Sequence, residues 1–285
     1  MKIKDLLKKS KEQINECGLE EGAAFIILGY ACNLKSNELF NALDKEVNDF
    51  ELKQFNQLLD LYLNHNKPVQ YLTHNACFYG YDFYVDENVL IPRFETEELV
   101  ENILYRYDKY FKGQRVDVCD VACGSGCIGI TLKKEEPNMQ VVATDISNEA
   151  LEVAKRNADN LKADVLFLQG DMLKPLAGRK FDIFVSNPPY IPDEELVMPL
   201  VLENEPKIAL FGGTDGLKFY RIIFNGVKDI IKDRAMLCFE HGYDKKEEML
   251  AIAKAYFPHA RCEVIKDLEG KDRMLFVYIG DGFDE

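Results

Sequence analysis

The sequence predicts an α/β fold: a mostly parallel, doubly wound sheet preceded by a small helical region. Three observations predict it. From Val116 onward, short apolar runs alternate with helical stretches in a repeating βα pattern. Before residue 70 only helical spacing is present, with no strand pattern. The closing pair, residues 262–265 and 274–279, is joined too tightly around Gly270 to be parallel neighbours, so an antiparallel edge strand is expected.

Taken in order, residues 1–70 form the helical domain. Leu52, Phe55, Leu58, Leu59 and Tyr62 recur at three- and four-residue steps and make one helical face. Ser36 is placed to cap a helix that opens on Asn37-Glu38-Leu39-Phe40, and Gly18 and Gly22 punctuate the earlier helices. Residues 71–93 are a β-hairpin linker: residues 78–86 alternate around a turn, and Val89-Leu90-Ile91 follows. Residues 94–285 are the second domain. Glu95 or Thr96 opens a helix to about Phe111, with acids in its first turn. A strand at 116–121 leads through Gly124-Ser125-Gly126 into a helix from Cys127 through Leu132. A second strand ends at Asp145, and Ser147 caps the helix carrying Leu151, Ala154 and Ala158. A third ends at Gly170-Asp171, and a fourth, 181–186, stops at Asn187-Pro188-Pro189-Tyr190. A helix around 217–231, a strand at 235–240 and a helix from Asp244 to about Ala255 complete the pattern.

The length of 285 residues suits two domains, and 47 % apolar content is ordinary for a buried core. Lys plus Arg number 35 against 49 Asp plus Glu, a net charge of −14. That balance argues against a nucleic-acid substrate and allows a basic protein partner. The first residues carry no apolar signal-peptide core, and the apolar run 23–32, broken by Gly29, is too short to span a bilayer. A cytoplasmic monomer without membrane contact is expected. Cys119, Cys123 and Cys127 have equal three-residue gaps, with no CxxC pair and no nearby His. They are expected on a strand, a loop and a helix, so the reading is buried reduced thiols and no metal site.

The chemistry concentrates at strand ends. Two consecutive prolines remove two backbone donors and fix two φ angles, so the ladder cannot continue past Ser186. What remains is a rigid turn holding an amide, bare carbonyls and an aromatic face at a strand's carboxyl end, where open α/β sheets bind ligands. Taken alone, the turn could simply stop a strand. Upstream, Asp120-Val121-Ala122-Cys123-Gly124-Ser125-Gly126 brings backbone close to a ligand, although Ala122 stands where a first glycine could be. Asp145 is placed to accept both ribose hydroxyls, and Asp171 to accept an adenine amino group. The three features, ending three successive strands, describe an adenosyl ligand laid across the sheet. Nothing in a dinucleotide dehydrogenase requires the Asn187 turn.

These residues resemble the class I S-adenosylmethionine-dependent methyltransferases, with their Rossmann-like sheet, and the subset that methylates planar nitrogens. The likeness extends along the chain. Ile91-Pro92-Arg93-Phe94-Glu95-Thr96-Glu97, the preceding hairpin, the Asp120 to Gly126 loop, Asn187-Pro188-Pro189-Tyr190, Glu205-Pro206 with Ala209-Leu210, and Glu240-His241-Gly242 occur in the order of the HemK family. The sequence therefore resembles the release-factor glutamine N5-methyltransferases. The resemblance implies a substrate-recognition role for residues 1–70 and a catalytic role for 94–285. It implies S-adenosyl-L-methionine as cofactor, with S-adenosyl-L-homocysteine as product, held by Ala122, Cys123, Gly124, Ser125, Gly126, Asp145, Asp171, Met172 and Asn187. Thr96 is expected near the methionine end. Asn187, Pro188, Pro189 and Tyr190 are expected to hold the substrate, the glutamine of a Gly-Gly-Gln motif in peptide chain release factors, with Asn187, Pro188 and Tyr190 catalytic. Arg93 and Glu95 are either site residues or structural ion-pair partners.

The physical chemistry agrees with that expectation. An amide nitrogen is a weak nucleophile, so the site needs alignment more than a strong base. The Asn187 side-chain oxygen and the Pro188 carbonyl can each accept one amide N–H, while Tyr190 packs on the flat amide. The four histidines, His65, His74, His241 and His259, are read as structural. A nucleic-acid exocyclic-amine methyltransferase is the alternative, opposed by the acidic charge and by residues 92–97. A non-catalytic protein docking on translation factors is the third, opposed by the intact loop, Asp145 and Asn187.

Overall fold

In the computed structural model, which describes residues 1–283, the chain divides into two units. Residues 1–75 with 197–204 form the first, and residues 76–196 with those from 205 onward form the second.

The first unit is helical: α1 (Ile3–Glu16), α2 (Gly22–Ala31), α3 (Ser36–Asn41), α4 (Asp49–Asn64) and α5 (Val69–Thr73). On α4 the predicted stripe buries Phe55, Leu59 and Tyr62, packed with Ile27 and Leu28 of α2. Asn48 caps α4: its Oδ1 accepts from the Glu51 N–H and its own N–H donates to the Glu51 carboxylate, each at 2.9 Å. Ser36 does not cap α3. It is the first helical residue, because the Glu38 carboxylate takes the Lys35 N–H at 2.8 Å and sets the boundary one residue earlier.

The second unit begins with a hairpin, β1 (Ala76–Phe78) and β2 (Tyr81–Phe83). Then follow α6 (Phe94–Phe111), β3 (Val116–Val121), α7 (Cys127–Glu135), β4 (Met139–Asp145), α8 (Asn148–Leu161), β5 (Val165–Gln169) and β6 (Phe181–Ser186). The chain next contributes α9 (Pro199–Asn204) to the first unit, where Asn204 accepts from Lys67 Nζ at 2.9 Å and donates to the Asn66 carbonyl at 2.7 Å. It continues as α10 (Lys218–Gly226), β7 (Ile231–Glu240), α11 (Lys246–Tyr256), β8 (Arg261–Lys266) and β9 (Asp272–Ile279). α6 opens at Phe94, one or two residues before either expected start, with Arg93 in extended backbone ahead of it. The short α9 carries no helical stripe that a sequence reading would pick out.

The seven-stranded sheet has the order β5-β4-β3-β6-β7-β9-β8. All pairings are parallel as far as β7, while β9 runs antiparallel to both β7 and β8. The antiparallel pairing thus falls at one edge, with the last strand in sequence inserted one place inward. Alternate residues of the central strands feed two cores: Val116, Val118, Ile183 and Val185 on one face, Cys119, Val121 and Phe184 on the other. A sheet covered on both faces reads as continuous apolar runs. Strand order reverses between β3 and β6, which opens a crevice at their carboxyl ends. Register then fixes what stands there. Val121 pairs with both Thr144 and Ser186, and Ser186 with Phe239. The next residue of each strand, Ala122, Asp145, Asn187 and Glu240, therefore lies on one line across the sheet. Among the described residues, no helix is long and apolar enough to cross a membrane.

Candidate active site

The loop after β3 is built on left-handed backbone, with φ of 60° at Ala122, 53° at Gly124 and 78° at Gly126. Ala122 thus holds a conformation that a glycine would adopt without strain. Gly126 is required by packing: an added Cβ would lie 2.9 Å from Ile130 Cδ1 and 3.2 Å from Ala154 Cβ. Beneath the loop, Asp120 is fully buried. Its Oδ2 accepts from the Gly129 N–H at 2.9 Å, while its Oδ1 is buried without a partner. Burial pushes this carboxyl up to about 7.

Asp145 receives two backbone N–H groups, Gly124 on Oδ2 and Ser147 on Oδ1, each at 2.9 Å. Burial raises its pKa, and those N–H donors oppose the rise. The Ser147 hydroxyl caps α8, accepting from the Ala150 N–H at 3.1 Å. Asp171 forms an exposed ion pair with Lys174 at 2.7 Å through Oδ2. Met172 beside it holds a positive φ of 49°.

Asn187 follows β6. Its Nδ2 donates to Thr96 Oγ1 at 3.2 Å, and Thr96 Oγ1 donates to Glu240 Oε2 at 2.7 Å. The Tyr190 hydroxyl donates to the other Glu240 oxygen at 3.2 Å, and the Tyr220 hydroxyl donates to the Glu240 carbonyl at 2.6 Å. Burial raises the Tyr190 phenol and keeps it neutral. Glu205 is buried and accepts from the Ile91 N–H at 3.1 Å and from Arg93 Nη2 at 2.6 Å. Arg93 is therefore an ion-pair partner that holds the segment entering α6.

These elements enclose a cavity of about 420 Å³. Ala122, Cys123, Gly124, Ser125, Asp145, Asp171, Met172, Asn187, Pro189 and Thr96 all line it. Gly126, Pro188 and Tyr190 do not: Gly126 packs behind the loop, Pro188 is buried, and the Tyr190 hydroxyl is engaged by Glu240. Ile146, Ile208, Phe219 and Ile222 add apolar walls. Carboxylates and backbone beside apolar walls fit an adenosyl group, whose ring is flat and apolar and whose ribose offers two hydroxyl donors.

Sequence reasoning missed Asn157. This fully buried α8 residue accepts from the Tyr84 N–H at 2.7 Å and donates to the Tyr84 and Ser125 carbonyls at 3.0 Å, tying the hairpin exit to the glycine loop. Its signal was a polar residue between Ala154 and Ala158 on a buried helical face. Ile208, Phe219 and Ile222 were missed because Ile208 arrives on a single 3-10 turn, Lys207–Ala209, and the other two on α10, with no local pattern that aims them at the strand ends. Cys119, Cys123 and Cys127 are buried on strand, loop and helix start, and burial raises all three thiols, Cys127 to about 12. No group of three or more His, Cys, Asp or Glu is arranged to hold a metal among the described residues. His241 is fully buried and engages the Gly242 carbonyl at 2.9 Å, and burial lowers its pKa.

Residues 96–203 match the Methyltransferase small domain family. A methyltransferase from Pyrococcus furiosus superposes with a TM-score of 0.53 at 18 % identity, covering 71 % of this chain and 91 % of that one. The fold is that of the class I S-adenosylmethionine-dependent methyltransferases. The release factor glutamine methyltransferase of Bacillus cereus is 39 % identical over 280 residues, spanning 97 % of this chain and 99 % of its own. That of Streptococcus pneumoniae is 37 % identical over 286 residues and the full length of both. The chain belongs to the release factor glutamine methyltransferase family.

Proposed function

We propose that this enzyme methylates the side-chain amide nitrogen, N5, of the glutamine in the Gly-Gly-Gln motif of peptide chain release factors. It would thereby modulate translation termination. The observation that carries the reading is the Asn187 side chain, anchored through Nδ2 and lining the cavity that also holds the glycine loop and Asp145.

S-adenosyl-L-methionine supplies an electrophilic methyl sulfonium. Asp145 would receive the ribose hydroxyls, the Ala122 to Ser125 backbone would lie against the cofactor, and Asp171 with Met172 would border its adenine end. Asn187 Oδ1 accepts one substrate amide N–H; the Pro188 carbonyl, expected to take the other, is not on the cavity wall, so the Asn187 oxygen carries the orientation of the nitrogen and favours positive charge developing on it. Because Pro188 and Pro189 are rigid and buried, that acceptor is in place before the substrate arrives. No side chain has to remove a proton before transfer: the new C–N bond forms as the S–CH3 bond breaks, S-adenosyl-L-homocysteine would leave as a neutral thioether, and the methylated nitrogen then gives its extra proton to solvent. Residues 1–70 are assigned to substrate recognition, and the enzyme acts as a cytoplasmic monomer. A net charge of −14 disfavours a nucleic-acid amine as substrate.

The test offers radiolabelled cofactor to purified release factor, tRNA and DNA in parallel. Label is expected on the release factor alone and is expected to vanish when the Gly-Gly-Gln glutamine becomes asparagine. Label on nucleic acid instead would overturn the assignment. Asn187→Ala is expected to leave cofactor binding measurable and nearly to abolish methyl transfer; unchanged turnover would exclude its acceptor role.

A further inference from the structure

We propose that Glu240 is a positioning residue: through the Thr96 hydroxyl it dictates which end of the Asn187 amide faces the substrate. The proposal rests on Asn187 being the acceptor for the glutamine amide, and it assigns a role to a carboxylate that touches neither substrate nor cofactor.

Strand register puts Glu240 beside Asn187, since Phe239 and Ser186 are paired immediately before them. Glu240 is 1 % exposed and lies outside the cavity lining. Its two oxygens are shared between two hydroxyls, Thr96 at 2.7 Å and Tyr190 at 3.2 Å. Burial raises the Glu240 pKa, while the Thr96 hydroxyl, the Arg273 cation and the Tyr190 hydroxyl each favour the ionised form; Arg273 sends its own hydrogen bonds to Asp267 and the His241 carbonyl. The carboxylate's acceptor capacity is thus left to the hydroxyls.

The consequence is one of hydrogen-bond polarity. A threonine hydroxyl has a single proton, and Thr96 gives it to Glu240. Toward Asn187, at 3.2 Å, Thr96 can then only accept, so the Asn187 group that meets it must be the NH₂. Oδ1 is left as the acceptor for substrate. Without the carboxylate, the Thr96 proton is free to go to Asn187 Oδ1. The amide then turns over and presents two donors to a substrate that also presents donors. Such a clash in a desolvated site is strongly unfavourable. A residue of another strand thereby sets the polarity of the catalytic turn, and Tyr190 is held by the same carboxylate.

The experiment compares Thr96→Val, Glu240→Met and the double variant, each with release factor as substrate. Each single change is expected to lower kcat about 10- to 100-fold, the size of one misdirected buried hydrogen-bond pair. The double variant is expected to be no worse than the poorer single one, because both break one chain of bonds. Cofactor Kd, read by calorimetry, is expected to stay within about threefold in Glu240→Met, since Glu240 lies outside the cavity lining. Thr96→Ser, which restores the hydroxyl, is expected to recover most of the lost rate. In ¹⁵N–¹H spectra, the slowly exchanging Asn187 side-chain signal is expected to be lost in Thr96→Val and Glu240→Met and present in Thr96→Ser. Wild-type kcat in Thr96→Val, or losses that multiply in the double variant, would refute the relay. If Glu240→Met does not fold, Glu240→Gln replaces it: its amide can donate to Thr96, so kcat is expected to fall as in the Met variant, and wild-type kcat in Glu240→Gln would refute the relay. A wild-type enzyme that fails to label release factor would instead sink the functional reading on which the relay stands.

Discussion

Asp120→Asn turns the burial of one carboxyl into a measurable dependence of stability on pH. Asp120 has one oxygen bonded to Gly129 N–H and the other buried without a partner, and its pKa is pushed from 3.8 to about 7. It is an acid whose folded-state value lies above its unfolded one. Between about pH 4 and 7 the folded chain therefore holds a proton that the unfolded chain has released, so stability falls as pH rises through that window. Below it both states are protonated, and above it both are ionised and the full penalty is present. A displacement of about 3 pH units at about 1.4 kcal/mol per unit sets a ceiling of about 4 kcal/mol. Asparagine keeps the acceptor for Gly129 and cannot ionise. The variant is therefore expected to match wild type within about 1 kcal/mol near pH 4.5 and to exceed it by about 2–4 kcal/mol at pH 8. Urea unfolding followed by hydrogen exchange of a peptide spanning β3 reads the sheet-bearing unit alone. An Asn-minus-Asp difference equal at both pH values, or larger in acid, would refute the reasoning.

Gly212→Ala is expected to disturb the catalytic turn from outside, since a Cβ there would lie 2.5 Å from the Pro189 carbonyl oxygen and 2.8 Å from Tyr190 Cα. A kcat loss of about tenfold or more with near-normal cofactor Kd is expected, because alignment is lost while the glycine loop stays intact; equal kcat would show that the turn yields freely. Glu205→Ala strands the buried Ile91 N–H and unpairs Arg93, so a loss of about 2–4 kcal/mol is expected, read from urea midpoints. Iodoacetamide on the native protein is expected to modify exposed Cys17 and Cys77 first, and buried Cys119, Cys123, Cys127 and Cys238 only on unfolding. Mass spectrometry of timed samples checks the order, and early labelling of Cys123 would show that the glycine loop opens.

Local chemistry is what made much of this protein legible in its sequence. Apolar runs separated by helical stripes announce a parallel sheet because both of its faces must be buried, and the Val116 to Ser186 segments carry that pattern plainly. Glycines, strand-ending acids and paired prolines announce a ligand crevice because each restricts the backbone or the charge where it stands. The Asn187 turn and the Asp120 to Gly126 loop were therefore visible, and the order of motifs pointed to the family. Tertiary structure alone decided how distant residues divide one set of protons and lone pairs. Glu240 lies 144 positions from Thr96 and Glu205 112 from Arg93, and no periodicity links either pair. Strand order and register brought Glu240 beside Asn187, and long-range packing brought Ile208 and Phe219 to the cavity wall. A side chain's type is written in the sequence. Whether its hydrogen bond is given or received depends on the neighbour that folding supplies, and for Asn187 that neighbour is Thr96, itself committed to Glu240.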